Sequence, residues 1–280
     1  MNHEDSATLP QSADPLRPVA VVTGSSSGIG RGIALKLAQQ GFDVVVHAGR
    51  RIEAAEATAR LVREHNADAC VIACDYTQDA DRLETFVEQA FAWRGTVNCW
   101  VNNAGGDVLT GERRQWSFTE KLDFLWQVDV RATLLISRLV AERMIAVRKS
   151  ESAFSNDVVI NIGWDQALSG LPGPSGQMFS CTKGAIMAMT ASLAKSYAPH
   201  VRFNCVAPGW IRTQWGEEAD PVWDELVAQQ SLQRRWGSVT DVAAVVGFLA
   251  SEAANFVNGQ CLPVNGGLGD LSESLRNRLC

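Results

Sequence analysis

The sequence predicts an α/β fold, a doubly wound parallel sheet with helices on both faces, and three observations lead to it. Short β-branched apolar runs alternate along the chain with segments of helical spacing, the pattern of β-α-β units joined by right-handed crossovers. Those runs are largely apolar rather than alternating, as expected of parallel strands covered on both faces. The first of them, Val19-Ala20-Val21-Val22, feeds a glycine-rich turn that opens a helix.

Each element follows in order. After the first strand, Gly28 to Leu37 carries helical spacing and Gly41 ends the segment. Asp43 to Ala48 reads as the second strand, with His47 packed inside it, and Ile52 to Glu64 as the second helix. Ala69 to Ala73 is the third strand, a helix runs from about Asp79 to Trp93, and Thr96 to Val101 is the fourth strand. A long helical stretch covers Thr119 to Val147, a polar loop spans Lys149 to Asn156, and Val158 to Ile162 is the fifth strand. A glycine- and proline-rich segment, Gly163 to Gly176, precedes a helix from about Met178 to Tyr197. Val201 to Val206 is the sixth strand, broken by Pro208-Gly209. An amphipathic, tryptophan-bearing stretch runs to Gln233, Asp241 to Leu249 is helical, and Gly259 to Val264 is the last strand.

The bulk properties bound the function. A chain of 280 residues with 46% hydrophobic content holds one large core, assigned here to residues 18–268 between a flexible tail at 1–17 and a second tail at 269–280. A formal net charge of -6 and a pI near 5.3 argue against a polyanion-binding surface, so neither nucleic acid nor an anionic membrane is an expected partner. No apolar run approaches a spanning length and the first residues are polar without an apolar h-region, so a cytoplasmic location is expected. Seven cysteines without a C-x-x-C pair read as reduced, mostly buried thiols, Cys181 among them inside a helix. The four histidines are scattered, and no metal site is expected.

The chemistry begins at the first turn. Gly24, Gly28 and Gly30 sit where a strand becomes a helix, a place where backbone approaches a pyrophosphate and first-turn N–H groups attract its charge. Ligands of such sheets bind beyond the carboxyl ends of the strands. The fourth strand ends there in a small-residue turn, Asn102-Asn103-Ala104-Gly105-Gly106.

Thr23-Gly24-x-x-x-Gly28-x-Gly30, Asn102-Asn103-Ala104-Gly105, Pro208-Gly209 and Val264-Asn265-Gly266-Gly267 together resemble the short-chain dehydrogenase/reductase family from about Val19 to Gly267. The general look is closest to 3-oxoacyl-carrier-protein reductases. The resemblance implies a single-domain Rossmann fold with a seven-stranded parallel sheet, an NAD(P)(H) cofactor, a small-molecule carbonyl or alcohol substrate, and commonly a homotetramer built on the fourth and fifth helices. It assigns Ser26, Ser27 and Ile29 to the phosphate turn, Asp75 and Tyr76 to the adenine end, and Asn103, Ala104 and Gly105 to the adenosine ribose. Pro208 and Gly209 lead into Ile211 and Thr213, which match the segment that meets the nicotinamide amide. At the end of the second strand Gly49 replaces the carboxylate of NAD-preferring members. Arg50 and Arg51 follow, suited to a 2′-phosphate or else simply solvated, so NADP(H) is the expected cofactor.

The catalytic half departs from the family pattern. Phe179 stands where Tyr-x-x-x-Lys requires tyrosine, while Lys183 is retained; that lysine also binds the cofactor ribose in the family. The segment after the fifth strand, Gly163-Trp164-Asp165-Gln166, lacks the family's serine, and Asp129 replaces its asparagine. Two classes therefore remain open. One is an atypical oxidoreductase in which Asp165, Gln166 and Asp129 near Lys183 take over proton handling. The other is a non-catalytic cofactor-binding sensor or partner subunit. Asp165 is the expected replacement for the phenol, or else a structural partner of Lys183 or Arg131. Trp126, Trp164, Trp210, Trp215 and Trp223 are expected around a substrate cleft, or else fill a lid or a subunit interface.

Overall fold

The computed structural model describes residues 17–77, 80–148, 156–213 and 222–267. Seven strands form one parallel sheet, β1 (Val19–Val22), β2 (Asp43–Ala48), β3 (Ala69–Ala73), β4 (Cys99–Asn102), β5 (Val158–Ile162), β6 (Arg202–Pro208) and β7 (Cys261–Val264). They lie in the order β3-β2-β1-β4-β5-β6-β7, so the order reverses between β1 and β4. At such a switch point the two connections leave on opposite faces and open a crevice at the carboxyl edge.

Both faces are covered. On one, Ile33, Ala34 and Leu37 of α1 (Gly28–Gln39), Ala55, Ala59 and Val62 of α2 (Ile52–Arg63), and Val242, Val246 and Leu249 of the helix Val239–Ala250 pack on β1, β2 and β5. On the other, Phe86 and Phe91 of α3 (Ala80–Arg94), Ile136, Val140 and Met144 of α5 (Ala132–Ala146), and Leu193 of α6 (Pro174–Tyr197) surround Trp100 and Phe203. The central strands β1, β2, β4, β5 and β6 are buried along their whole length, which explains their largely apolar sequences.

Three expectations are corrected. The helical stretch expected from Thr119 to Val147 is α4 (Phe118–Leu125), a π-helical segment (Trp126–Arg131) and α5. The widened turns put three consecutive side chains, Val128, Asp129 and Val130, into the interior, a break with 3.6-residue spacing that is frequent at functional sites. Cys181, expected to be packed inside its helix, is exposed on α6, and Cys261 is exposed as well. α6 begins at Pro174 rather than Met178, because proline at a first helical position loses no hydrogen bond.

The tryptophan-bearing stretch contains α7 (Val222–Gln230) and leads to α8 (Val239–Ala250), which opens on a capping box of Ser238 and Asp241. Trp215, both proposed tails except Arg17, and the start of the third helix at Asp79 lie outside the described residues. Among the described residues no helix is long and apolar enough to cross a membrane.

Candidate active site

The glycine turn after β1 is built by close approach. A Cβ on Gly30 would stand 2.4 Å from the Gly24 carbonyl oxygen, and one on Gly24 would stand 2.8 Å from the Ala104 Cα. Gly24 and Gly28 have φ of +64° and +55°, the left-handed region that glycine enters without strain. Thr23 ties this turn to the one after β4: its Oγ1 accepts from the Asn103 and Ala104 N–H groups, both at 2.9 Å, while Asn103 Nδ2 donates to the Thr23 and Gly24 carbonyls. No side chain caps the first turn of α1, so its N–H groups remain available to an anion.

His47 supports this turn from below. Its Nδ1 accepts from the Gly24 N–H at 3.0 Å and its Nε2–H donates to the Cys74 carbonyl at 2.9 Å, which fixes the neutral tautomer. Burial against Tyr76 and Phe86 lowers its pKa to about 4. The sequence places His47 correctly as a packed strand residue, but its bond to the glycine turn needs the β1–β2 register to be seen.

The turns border a groove of about 850 Å³ along the carboxyl edge of the sheet. Gly24, Ser26, Ile29, Arg50, Arg51, Asp75, Tyr76, Asn103, Ala104, Gly105 and Thr213 all line it. Arg50 pairs with Asp75 at 2.7 Å, and Arg51 donates to Ser27 Oγ at 2.9 Å. The groove therefore has a glycine turn in which a Cβ on Gly24 or Gly30 would collide with backbone, uncapped helix N–H groups and two guanidinium groups at one end. This donor set suits a dinucleotide with its phosphates.

A second cavity of about 500 Å³ continues from the groove and shares Ile29, Asn103, Phe179 and Thr213 with it. Its walls are Trp164, Phe179, Leu109 and Leu171 with Trp210, Trp223 and Trp236, and Pro208, Gly209, Ile211 and Lys183 border it too. Trp164 meets Phe179 edge to face at 6.3 Å, and Trp210 lies 5.3 Å from Trp223 and 6.2 Å from Trp236. Trp126, expected here, is instead 47% exposed on the π-helical segment and borders neither cavity. Trp236, Leu109 and Leu171 were not singled out by sequence, because nothing local marks them and only the folding of three separate segments brings them together.

Lys183 lies beside the meeting of the two cavities. Its Nζ is 3.1 Å from Asp129 Oδ2 and 3.5 Å from the Ile162 carbonyl oxygen. Asp129 is 1% exposed and its Oδ1 accepts from the Gly106 N–H at 2.7 Å. Asp165 is placed differently. Its Oδ2 accepts from Asn265 Nδ2 at 3.0 Å and would lie 2.9 Å from a Cβ on Gly209, and neither it nor Gln166 borders the cleft. Burial pushes the Asp165 carboxyl up to about 6. It stands one layer behind the cleft wall, joining the segments that follow β5 and β7, and it makes no ion pair with Lys183 or Arg131.

Beneath the site runs a buried polar chain that sequence reasoning missed. Asn102 Nδ2 donates to Asn161 Oδ1 and to Ser137 Oγ, and Asn161 Nδ2 donates to Thr190 Oγ1. Two asparagines at the ends of neighbouring strands are the available signal, since strand interiors are otherwise poor in asparagine.

Residues 24–269 match a family model described as enoyl-(acyl carrier protein) reductase. The chain is 37% identical over 255 residues to a 3-oxoacyl-[acyl-carrier-protein] reductase of Aggregatibacter actinomycetemcomitans, covering 89% of this chain and 98% of that one. Among solved structures, the 3-oxoacyl-[acyl-carrier protein] reductase of Brucella melitensis in complex with NAD is 27% identical with a TM-score of 0.81, over 92% of this chain and 100% of that one. A short chain dehydrogenase of Burkholderia cenocepacia in complex with NADP is 25% identical with a TM-score of 0.78, over 89% of this chain and 97% of that one.

Proposed function

The chain belongs to the short-chain dehydrogenase/reductase family of oxidoreductases, and on that premise we propose that it is an NADP(H)-dependent member with a non-standard active site. The observation that supports this reading is the continuity of the two cavities, with Lys183 and the aromatic walls beside a groove whose donor set suits a dinucleotide. The glycine turn and the start of α1 would hold the pyrophosphate, Arg50 and Arg51 the 2′-phosphate, and Asp75, Tyr76 and Asn103 to Gly105 the adenosine. Ile211 and Thr213 would meet the nicotinamide end, and Lys183 its ribose. The cofactor, when bound, supplies or takes a hydride.

The chain's own residues do the rest. Trp164, Phe179 and the Trp210 cluster exclude water and hold a small substrate by its apolar faces. Lys183, fixed by Asp129, is the one ionisable side chain bordering the cleft among the described residues. Asp165 positions Gly209 and Asn265 and does not meet the substrate. A homotetramer is part of the same proposal, supported by Phe118, Trp126, Leu134 and Ile145, which leave apolar side chains exposed along α4, the π-helical segment and α5.

The second reading, cofactor binding without turnover, is favoured by the absence of any hydroxyl at Trp164 and Phe179. One experiment separates the two. Titration with NADPH is expected to quench tryptophan emission and sensitise nicotinamide emission, and Lys183→Met should weaken binding. Oxidation of bound NADPH in the presence of a carbonyl and imine panel supports the oxidoreductase. Binding with no oxidation by any compound supports the sensor, and no binding overturns both.

A further inference from the structure

We infer that the aromatic cleft receives a cationic carbon–nitrogen double bond, an iminium ion or protonated imine, as its substrate; this rests on the cofactor-dependent reading above. Reduction of a carbonyl builds negative charge on oxygen and requires a proton donor there. Three residues of this site change together in the opposite direction. Phe179 has no proton to give. Trp164 puts an indole in the cleft wall on the segment that carries the family's serine. Asp129 sets a buried carboxylate 3.1 Å from Lys183 Nζ, so the lysine charge is cancelled by its partner rather than offered to an anion. The outcome is a cleft in which the two positions that carry the family's serine and tyrosine hold an indole and a phenyl, with a charge-balanced ion pair beside them; its hydroxyl-bearing lining residues among those described, Ser175 and Thr213, lie on other segments.

The walls point the same way. Trp164 and Phe179 border one side of the cleft and the Trp210 cluster another. The Trp210 and Trp236 N–H groups are engaged by Gln230 Oε1 and Asp224 Oδ1, both at 2.6 Å, so these indoles meet a ligand through carbon and π surface. Aromatic faces attract an organic cation most strongly where water is excluded. The reaction balances without a proton donor. The carbon of the C=N⁺ group accepts a hydride from a reduced nicotinamide, which is oxidised, and the π pair returns to nitrogen as the lone pair of a neutral amine.

The test is a calorimetric comparison of N-methyl-3,4-dihydroisoquinolinium with its neutral carbon isostere, 3-methyl-1,2-dihydronaphthalene, on the full-length protein. The cation is expected to bind about tenfold tighter or more. Trp210→Leu should reduce that preference. Asp129→Asn should weaken the cation while leaving the isostere within about twofold, since it removes the carboxylate that balances the Lys183 ammonium beside the cleft. With NADPH bound, the cation should be converted to N-methyltetrahydroisoquinoline. Equal or tighter binding of the isostere, or unchanged cation binding in Asp129→Asn, overturns the inference. NADPH affinity, read from its own emission, keeps the two readings apart: its loss with cation binding intact removes the cofactor reading, and the reverse removes this one.

Discussion

Lys183 Nζ stands 3.1 Å from Asp129 Oδ2, and the aspartate side chain is buried while that of the lysine is 15% exposed. The pair joins α6 to the π-helical segment, and through the Gly106 N–H it also holds the turn after β4. Three segments that border the cofactor groove or the cleft thus share one carboxylate.

Removing that carboxylate has a defined effect. Asp129→Asn keeps an acceptor for Gly106 but leaves Lys183 with only the Ile162 carbonyl, and a loss of about 1–3 kcal/mol is expected. Lys183→Met should cost a similar amount by stranding the buried carboxylate. The double variant should be more stable than the summed single effects predict, by about 1 kcal/mol or more. Urea unfolding of the four proteins measures this coupling, and additive losses would show that the pair does not act as a unit.

Arg50 should decide cofactor choice. Its side chain is 68% exposed, so its ion pair with Asp75 contributes little to stability. Arg50→Ala is expected to change the unfolding midpoint negligibly while weakening NADPH by about tenfold, with NADH unaffected. Calorimetric titration with both cofactors reads this directly, and wild-type protein that prefers NADH would remove the NADP(H) assignment.

Gly30→Ala tests the cradle. The added methyl would stand 2.4 Å from a backbone oxygen and 2.5 Å from Asn103 Nδ2, neither of which moves without shifting the turn. A loss of about 1–3 kcal/mol in stability is expected together with loss of NADPH binding. Gly28→Ala meets nothing closer than 3.7 Å and carries only the strain of its positive φ, so its stability cost should be smaller, about 1 kcal/mol. Thermal unfolding and calorimetry on both variants rank them.

How much of this was legible in the sequence follows from what is local. Strand and helix positions were readable because burial on both faces writes largely apolar runs, and Gly24, Gly28 and Gly30 mark a turn by composition alone. The π-helical segment was not, because Trp126 to Arg131 has ordinary helical composition and nothing local marks the widened turn. The role expected of Asp165 followed from its place after β5. Its actual partner, Asn265, is a hundred residues away on the segment after β7, and no spacing rule connects them.

His47 and Asp165 give the last prediction, because burial moves them into one pH window with opposite signs. His47 is neutral in the folded chain down to about 4, whereas the unfolded chain takes up its proton below 6.5. Its contribution to stability is therefore lost as pH falls from about 6.5 to about 4. Asp165 stays protonated in the folded chain up to about 6, whereas the unfolded chain ionises above 3.8. Its contribution is lost as pH rises between those values. The two slopes oppose each other, so their combined effect on wild-type stability between about pH 4 and 6 is small. Asp165→Asn keeps an acceptor for Asn265 and removes one titration. Its stability should then rise with pH across the His47 window, by on the order of 3 kcal/mol relative to the wild-type profile. Denaturant unfolding at half-unit pH steps reads the two curves, and a variant profile parallel to the wild type would show that Asp165 does not hold its proton in the folded chain.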